Sequence, residues 1–382
     1  MRVGLLTPSA RRTLGRMALR PRPARRPAPR TVALAVATLL LASPAAGVPA
    51  AGAASDDRVP TSREVPPVGR GSQAERVGDD PQVLAISIDA LNPNAVRRLG
   101  RDGAPHLWRI LDEGASTLNA RTSYELTVTL PNHTSMVTGR RIAKARGGHG
   151  VTWNTDRPGT TVQRSSGDRD VSSVFETAHD AGLSTALFAA KTKFSLFQRS
   201  WPDGLDRVTI KEEQDTALMK AVRRDLLRRD RAFTFWHIGD ADKTGHAKGF
   251  MSPAYLRAVK RIDGLVGKVL DAADRKPQLD DLTIVLTADH GGLPGSTKHS
   301  AQTRRANYTI PFAVWGPGVA PADLYRINPR YQNPGKARPG YGKPKQPVRN
   351  GMVANLALDL LGVDAVPGSQ LDTRQNLRVV RR

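Results

Sequence analysis

The stretch "VLAISID", residues 83–89, is a short, β-branched apolar run that stops at an aspartate. A run with so little polar alternation is how a strand covered on both faces reads. Four more stretches have the same texture: "STALFAA" at 184–190, "FTFWHI" at 233–238, "LTIVLTA" at 282–288 and "PFAVWG" at 311–316. Helical patterns lie between them. One covers 212–228, "EEQDTALMKAVRRDLLR". Another opens with Ser252-Pro253 as cap and first-turn residue and puts Tyr255, Val259, Ile262, Val266 and Val269 on one stripe. A third, "GMVANLALDLLG" at 351–362, is closed by Gly362. Strands alternating with helices predict an α/β fold of three layers, αβα: a mostly parallel central sheet with helices on both faces.

In open sheets of this kind ligands sit beyond the carboxyl ends of the strands, so the residues that follow each strand matter most. The first run ends in Asp89. The run at 233–238 leads to Asp242 and, four residues on, His246, with Asp240 as a nearby competitor for Asp242. The run at 282–288 ends in the adjacent pair Asp289-His290, and His299 follows nine residues after His290. Six carboxylate or imidazole groups therefore collect at one edge. Oxygen and nitrogen donors without thiolate suit zinc, and also manganese or iron. Six are enough for two sites of three ligands, each with an open position. His133 and His149 read as hydrogen-bonding structural residues, and His106, His179 and His237 have no partner that the sequence names.

One more stretch fits this chemistry. "TVTLPNHTSMVTGR", residues 127–140, reads as an extended segment breaking into a turn and a helix. A threonine hydroxyl is a poor nucleophile near neutral pH, and a divalent cation lowers its pKa.

These motifs together resemble the alkaline phosphatase superfamily, and within it the type I phosphodiesterase/nucleotide pyrophosphatase branch in a compact bacterial form. The resemblance rests on "ISIDALNP", "TLPNHTSMVTGR", "HGVTWN", "DKTGH", "ADHGG" and "KHS…YTIPFAVWGPG", spread over residues 81–365. It implies that Thr129 is the nucleophile and that the chain holds two divalent cations, zinc foremost. One would lie on Asp89, Asp289 and His290, the other on Asp242, His246 and His299. Asn154 would donate to a non-bridging phosphoryl oxygen. The implied course is in-line attack by Thr129, a phosphothreonine intermediate, then hydrolysis by water with net retention at phosphorus. Leu130 departs from the pattern, because nucleotide-cleaving members carry an aromatic residue there. Lys191 and Lys193 follow "STALFAA" as a Lys-x-Lys pair similar to that of phosphonoacetate hydrolases. In an extended segment residues two apart share a face, so the pair could clamp the anionic substrate.

The resemblance thus implies a metal-dependent phosphoric-ester hydrolase acting on a small phosphorylated or phosphodiester substrate. A phosphomonoesterase or phosphonate hydrolase using Lys191 and Lys193 is the alternative within the class. A catalytically inactive polyanion- or cell-wall-binding protein is the alternative outside it. A sulfatase fits less well, since there is no cysteine and Thr129 stands at the nucleophile position.

The bulk properties frame the domain. The chain has 382 residues, 39% apolar and 24% charged, with a formal charge of +23. Residues 1–54 carry nine arginines and no acid, so 49 basic residues face 35 acidic ones beyond them, about +14. That excess attracts polyanions at low salt, although no specific nucleic-acid binding is expected. The arginine-rich start, the apolar run 31–43 and the small residues up to Ala53 and Ala54 read as an export signal, leaving no membrane span after its removal. The protein is accordingly expected to be secreted or associated with the cell envelope. Residues 55–80 read as a polar linker, 81–365 as the catalytic domain and 366–382 as a basic tail. The Pro/Gly-rich basic segment 327–349 reads as a lid, a polyanion-binding loop or a solvated connection.

Overall fold

Strand β1 (Gln82–Ile88) is buried along its whole length, as its uninterrupted apolar run requires. The computed structural model describes residue 73 and residues 80–381. The expected export signal, 1–54, lies outside the described residues, as does nearly all of the linker 55–80. Among the described residues no helix is long and apolar enough to cross a membrane.

Seven more strands complete one sheet: β2 (Ala115–Arg121), β3 (Thr185–Ala189), β4 (Arg207–Ile210), β5 (Phe233–Ile238), β6 (Leu282–Thr287), β7 (Thr309–Trp315) and β8 (Ala322–Asp323). Their order is β4-β3-β5-β1-β6-β7-β2-β8. The strands from β4 to β6 are parallel, whereas β7 runs antiparallel to both β6 and β2. All five strands expected from sequence are present. β3, β5 and β6 are, like β1, buried at every position, so the sheet is covered on both faces.

Five helices carry the rest of the account: α1 (Thr129–Thr138), α2 (Asp215–Arg228), α3 (Asp240–Lys248), α4 (Pro253–Ala273) and α5 (Val353–Leu360). α4 starts as the sequence predicts, with the Ser252 hydroxyl accepting from Tyr255 N–H and Pro253 in the first turn.

Two expectations need correction or completion. Residues 366–380 are not a separate tail. Val366, Leu371, Leu377 and Val379 are buried in the main core, and Val380 forms an antiparallel bridge with Val319. The spaced apolar residues, not the flanking arginines, decide the segment's place. The segment 327–349 is tied down by two buried arginines. Arg121, at the end of β2, donates to the carbonyls of Gly335 and Ala337, and Arg349 donates to those of Thr122 and Pro339. Carbonyl oxygens satisfy both guanidinium groups in place of carboxylates.

Candidate active site

β1 lies between β5 and β6, so the residues after these three strands are neighbours at one sheet edge. Asp89 follows β1, Asp289 and His290 follow β6, and the turn after β5 enters α3. That turn is held by Asp215, whose carboxylate accepts from Gly239 N–H at 3.0 Å and Asp240 N–H at 2.8 Å. One helical turn then sets Asp242 and His246 on the same face. Asp240 pairs with Arg261 instead and stays outside the cluster.

Each of the three clustered histidines has its tautomer fixed by a carbonyl, which can only accept. His246 Nδ1–H donates to Thr297 O at 2.7 Å, His299 Nδ1–H to Thr127 O at 2.7 Å, and His290 Nδ1–H to Gly291 O at 2.9 Å. All three Nε2 lone pairs are left for the site, the arrangement that orients imidazole ligands. Burial, with His299 beside it, pushes His290 down to about 3, and burial lowers His299 as well, so both rings are neutral.

The carboxylates divide their oxygens. Asp89 Oδ2 and Asp242 Oδ2 both accept from the Lys191 ammonium at 2.6 Å. Asp89 Oδ1 and Asp242 Oδ1 are buried and make no hydrogen bond. The histidines converge on these Oδ1 atoms. His246 Nε2 is 3.3 Å and His299 Nε2 3.5 Å from Asp242 Oδ1, and the two nitrogens are 3.2 Å apart. His290 Nε2 is 3.6 Å from Asp89 Oδ1 and 3.1 Å from Asp289 Oδ2. Ligands about 2.0–2.2 Å from a tetrahedral zinc are separated by roughly 3.3–3.5 Å. The Asp242/His246/His299 triangle, with edges of 3.3, 3.5 and 3.2 Å, is close to that size.

Asp289 Oδ2, His290 Nε2 and Thr129 Oγ1 are likewise buried without a hydrogen bond. Three buried carboxyls face a single buried ammonium. Burial alone would raise the Asp89 carboxyl, but Lys191 and His237 hold it well below the usual range. Burial and the neighbouring Asp89 charge push Asp289 well above it. Buried acceptors with excess negative charge are costly unless a cation compensates them. The donor set therefore fits divalent metal. Asp242, His246 and His299 form one candidate group, and Asp89, Asp242 and His290 another. Asp242 thus stands between the two groups. Asp289 adjoins His290 while its Oδ1 accepts from Ala90 N–H and His290 N–H.

Thr129 opens α1 with its side chain buried. β2 runs antiparallel to β7, which runs antiparallel to β6, so the chain leaving β2 reaches Thr129 on the catalytic edge. Asn132 braces this approach by donating to Leu126 O and Val128 O and accepting from Ser123 N–H. Asn154 Oδ1 accepts from Leu130 N–H at 2.9 Å, which leaves the amide nitrogen as a donor beside Thr129. Leu130 is fully buried in the core and offers no stacking face. Lys191 points inward, whereas Lys193 is half-buried and its ammonium is lowered by burial and by Lys191.

His133 and His149 have the structural bonds expected. His133 Nδ1–H donates to Thr129 O at 2.8 Å and its Nε2 accepts from Ser87 Oγ–H at 2.8 Å, while His149 contacts Ser135 Oγ at 3.0 Å. His237 is the residue that sequence reasoning missed. Its Nδ1 accepts from Ala190 N–H at 3.2 Å, so its Nε2–H donates to Asp89 Oδ2 at 3.0 Å. The signal was its place in an otherwise apolar strand that pairs with β1, opposite Ser87.

The sequence profile of the type I phosphodiesterase / nucleotide pyrophosphatase family matches residues 83–349. The chain belongs to this family. Human ectonucleotide pyrophosphatase/phosphodiesterase family member 7 is 24% identical over 234 residues, covering 58% of this chain and 50% of its own length. GPI ethanolamine phosphate transferase 1 of Chaetomium globosum is 32% identical over 117 residues, which is 31% of this chain and 12% of that protein. The chain thus spans at most about half the length of these relatives. Among solved structures, an inactive variant of murine ectonucleotide pyrophosphatase/phosphodiesterase 5 in complex with AMP superposes with a TM-score of 0.57 at 14% identity. It covers 78% of this chain and 99% of that one. A 2-O GAG sulfatase gives 0.54 at 12% identity, over 79% and 76% of the two chains. These last two likenesses concern the fold, the alkaline-phosphatase-like αβα sandwich that the family shares.

Proposed function

We propose that this family member hydrolyses phosphoric esters, phosphodiesters and pyrophosphates foremost, with Thr129 as nucleophile and Asp89, Asp242, His246, Asp289, His290 and His299 as ligands of two divalent cations, zinc foremost. The observation that carries the reading is the convergence of Asp89 Oδ1, Asp242 Oδ1, Asp289 Oδ2 and the imidazole Nε2 atoms of His246, His290 and His299, with the three carboxylate oxygens, His290 Nε2 and the Thr129 hydroxyl all buried without a hydrogen bond. When bound, a cation pair lowers the pKa of the hydroxyl and shares the charge on the attacking and leaving oxygens. Thr129 attacks phosphorus in line and the P–O bond to the leaving alcohol or phosphate breaks; water then cleaves the phosphothreonine, releasing the phosphate product and restoring the Thr129 hydroxyl with net retention. The N-terminal end of α1 directs its dipole at the developing charge, and the Asn154 amide donates to it. An AMP complex of a fold neighbour is in keeping with a small phosphorylated ligand. Export is part of this proposal, with the arginine-rich residues 1–30 and the apolar run 31–43 in its support.

A second reading, phosphomonoester or phosphonate hydrolysis, has one observation in its favour: the Lys191 ammonium stands inside the cluster rather than on the surface. Burial opposes the charge on Lys191, but Asp89 and Asp242 keep its pKa raised, so it is a permanent cation there. Turnover of bis-p-nitrophenyl phosphate against p-nitrophenyl phosphate separates the two. Thr129→Ala should abolish both activities, and a variant retaining either would end the nucleophile assignment. Lys191→Met should depress the monoester rate selectively under the second reading and leave the preference between esters unchanged under the first.

A further inference from the structure

We infer that α2 and α4 form a docking track for inorganic polyphosphate, a linear chain of phosphate units, and that the track leads to the catalytic edge. Three concavities of about 740, 510 and 450 Å³ lie in sequence along these helices. The first touches the catalytic edge at Lys191 and Gly239. Lys220 lines both the first and the second, and Arg223 and Lys268 line both the second and the third, so the three form one trough.

The charge in this trough is one-sided. Lys220, Arg223, Arg224 and Arg228 come from α2, and Lys268, Arg275 and Lys276 from α4 and the turn after it. Asp271 is the one carboxylate lining the second and third concavities. All seven cations are exposed, and among the described residues they are in no ion pair. The first concavity differs, since Arg261 pairs with Asp240 and Lys243 with Glu213. Unbalanced charge therefore begins where the catalytic cluster ends.

Folding gives no reason for this pattern. On α2, Lys220, Arg223, Arg224, Leu227 and Arg228 follow the i, i+3, i+4, i+7, i+8 stripe, opposite the buried Leu218, Val222 and Leu226. Lys220, Arg224 and Arg228 are like charges four residues apart, an arrangement that works against the helix. A stripe needed only for solubility would alternate its signs. The lining selects a bare phosphate chain: its cations come from both helices, its apolar members are Met219 and Leu227, and it has no aromatic ring on which a nucleic-acid base could stack. From Asp215 to Arg228 the helix runs about 20 Å, long enough for several phosphate units.

Delivery to the catalytic edge rests on the esterase reading, whereas binding does not. The test uses the full chain and a triple charge reversal, Arg223→Glu, Lys268→Glu and Arg275→Glu, which touches no catalytic residue. Binding of long-chain inorganic polyphosphate and of a single-stranded oligothymidylate is titrated against salt. The wild type should bind polyphosphate, and more tightly than the oligothymidylate. The triple variant should bind at least about tenfold more weakly at low salt, with the log–log salt slope reduced by roughly 2. Its melting temperature and its turnover of bis-p-nitrophenyl phosphate should stay at the wild-type values. Failure of polyphosphate to bind, or tighter binding of the oligothymidylate, overturns the proposal. So does binding that the triple variant and a second variant, Arg224→Ala with Arg228→Ala, leave unchanged. Binding to phosphatidylglycerol vesicles but to neither polymer also overturns it. Variant-sensitive polymer binding by a wild type that hydrolyses no ester would leave the track standing and remove the esterase reading instead.

Discussion

His237 gives the sharpest mutational test, because it touches neither substrate nor any candidate metal ion and acts only through Asp89. Its Nε2–H donates to Asp89 Oδ2, and its Nδ1 accepts from the Ala190 N–H. The ring lies 4.5 Å from Phe194 and 5.0 Å from His133, centroid to centroid, so phenylalanine fills its place. His237→Phe removes both hydrogen bonds at nearly constant volume. The Ala190 N–H is then left buried without an acceptor, at about 1–3 kcal/mol, and Asp89 loses one of two donors on Oδ2. Together these cost about 2–4 kcal/mol of stability, or roughly 3–6 °C in Tm for a domain of this size. Groups that orient metal ligands typically set about 10–100-fold in metal affinity, which is about 1.4–2.7 kcal/mol. Competition with a chromogenic chelator measures that affinity, and thermal melting measures the structural loss. His237→Gln, which keeps an amide donor, should fall between the variant and the wild type. If His237→Phe lowers Tm but binds metal within about twofold of the wild type, Asp89 is not oriented by His237 and the reasoning is wrong.

Two further outcomes follow from packing and charge. Gly245 lies in α3 between Asp242 and His246, and a Cβ there would stand 2.1 Å from the ring of Phe250, which is fully buried and flanks both His246 and His299. Gly245→Ala should therefore destabilise the fold by about 1–3 kcal/mol, read by thermal melting, and should weaken the Asp242/His246/His299 metal more than the other. Asp372 is buried, with Oδ2 making no hydrogen bond, and burial raises its carboxyl to about 6. A carboxyl raised in the folded state contributes stability that is complete below its unfolded pKa and is lost as pH rises through about 6. Asp372→Asn should therefore gain up to roughly 3 kcal/mol over the wild type at pH 8 relative to pH 4, and a gain of equal size at both pH values would contradict this.

The sequence carried the centre of the sheet and the candidate ligands because both are written as local pattern. β1, β5 and β6 are unbroken apolar runs, and each delivers its acid or histidine at or just after its last residue. β2 was missed because "ASTLNAR" alternates small and polar residues, and its burial is correspondingly uneven. β4 and β8 are short strands at the two sheet edges with mostly exposed or half-buried side chains, so they lack the apolar signal. Arg349 closes the segment that reads as a lid, a polyanion-binding loop or a solvated connection, and nothing local shows that backbone carbonyls will enclose it or Arg121. His237 could be placed beside Asp89 only once β5 was known to pair with β1. Lys191 could be read as a substrate clamp, but not as the partner of two acids that lie 102 and 51 residues away in the chain. Such contacts depend on strand order, which no short window of sequence contains.

The core of the account is that the six acids and histidines hold two cations beside Thr129. Metal analysis of protein purified without chelator, run alongside a His246→Ala/His299→Ala variant, tests this most directly. The account predicts two equivalents of divalent metal per chain in the wild type and one in the variant. A wild type with no bound metal, or a variant that keeps the full complement, would contradict it.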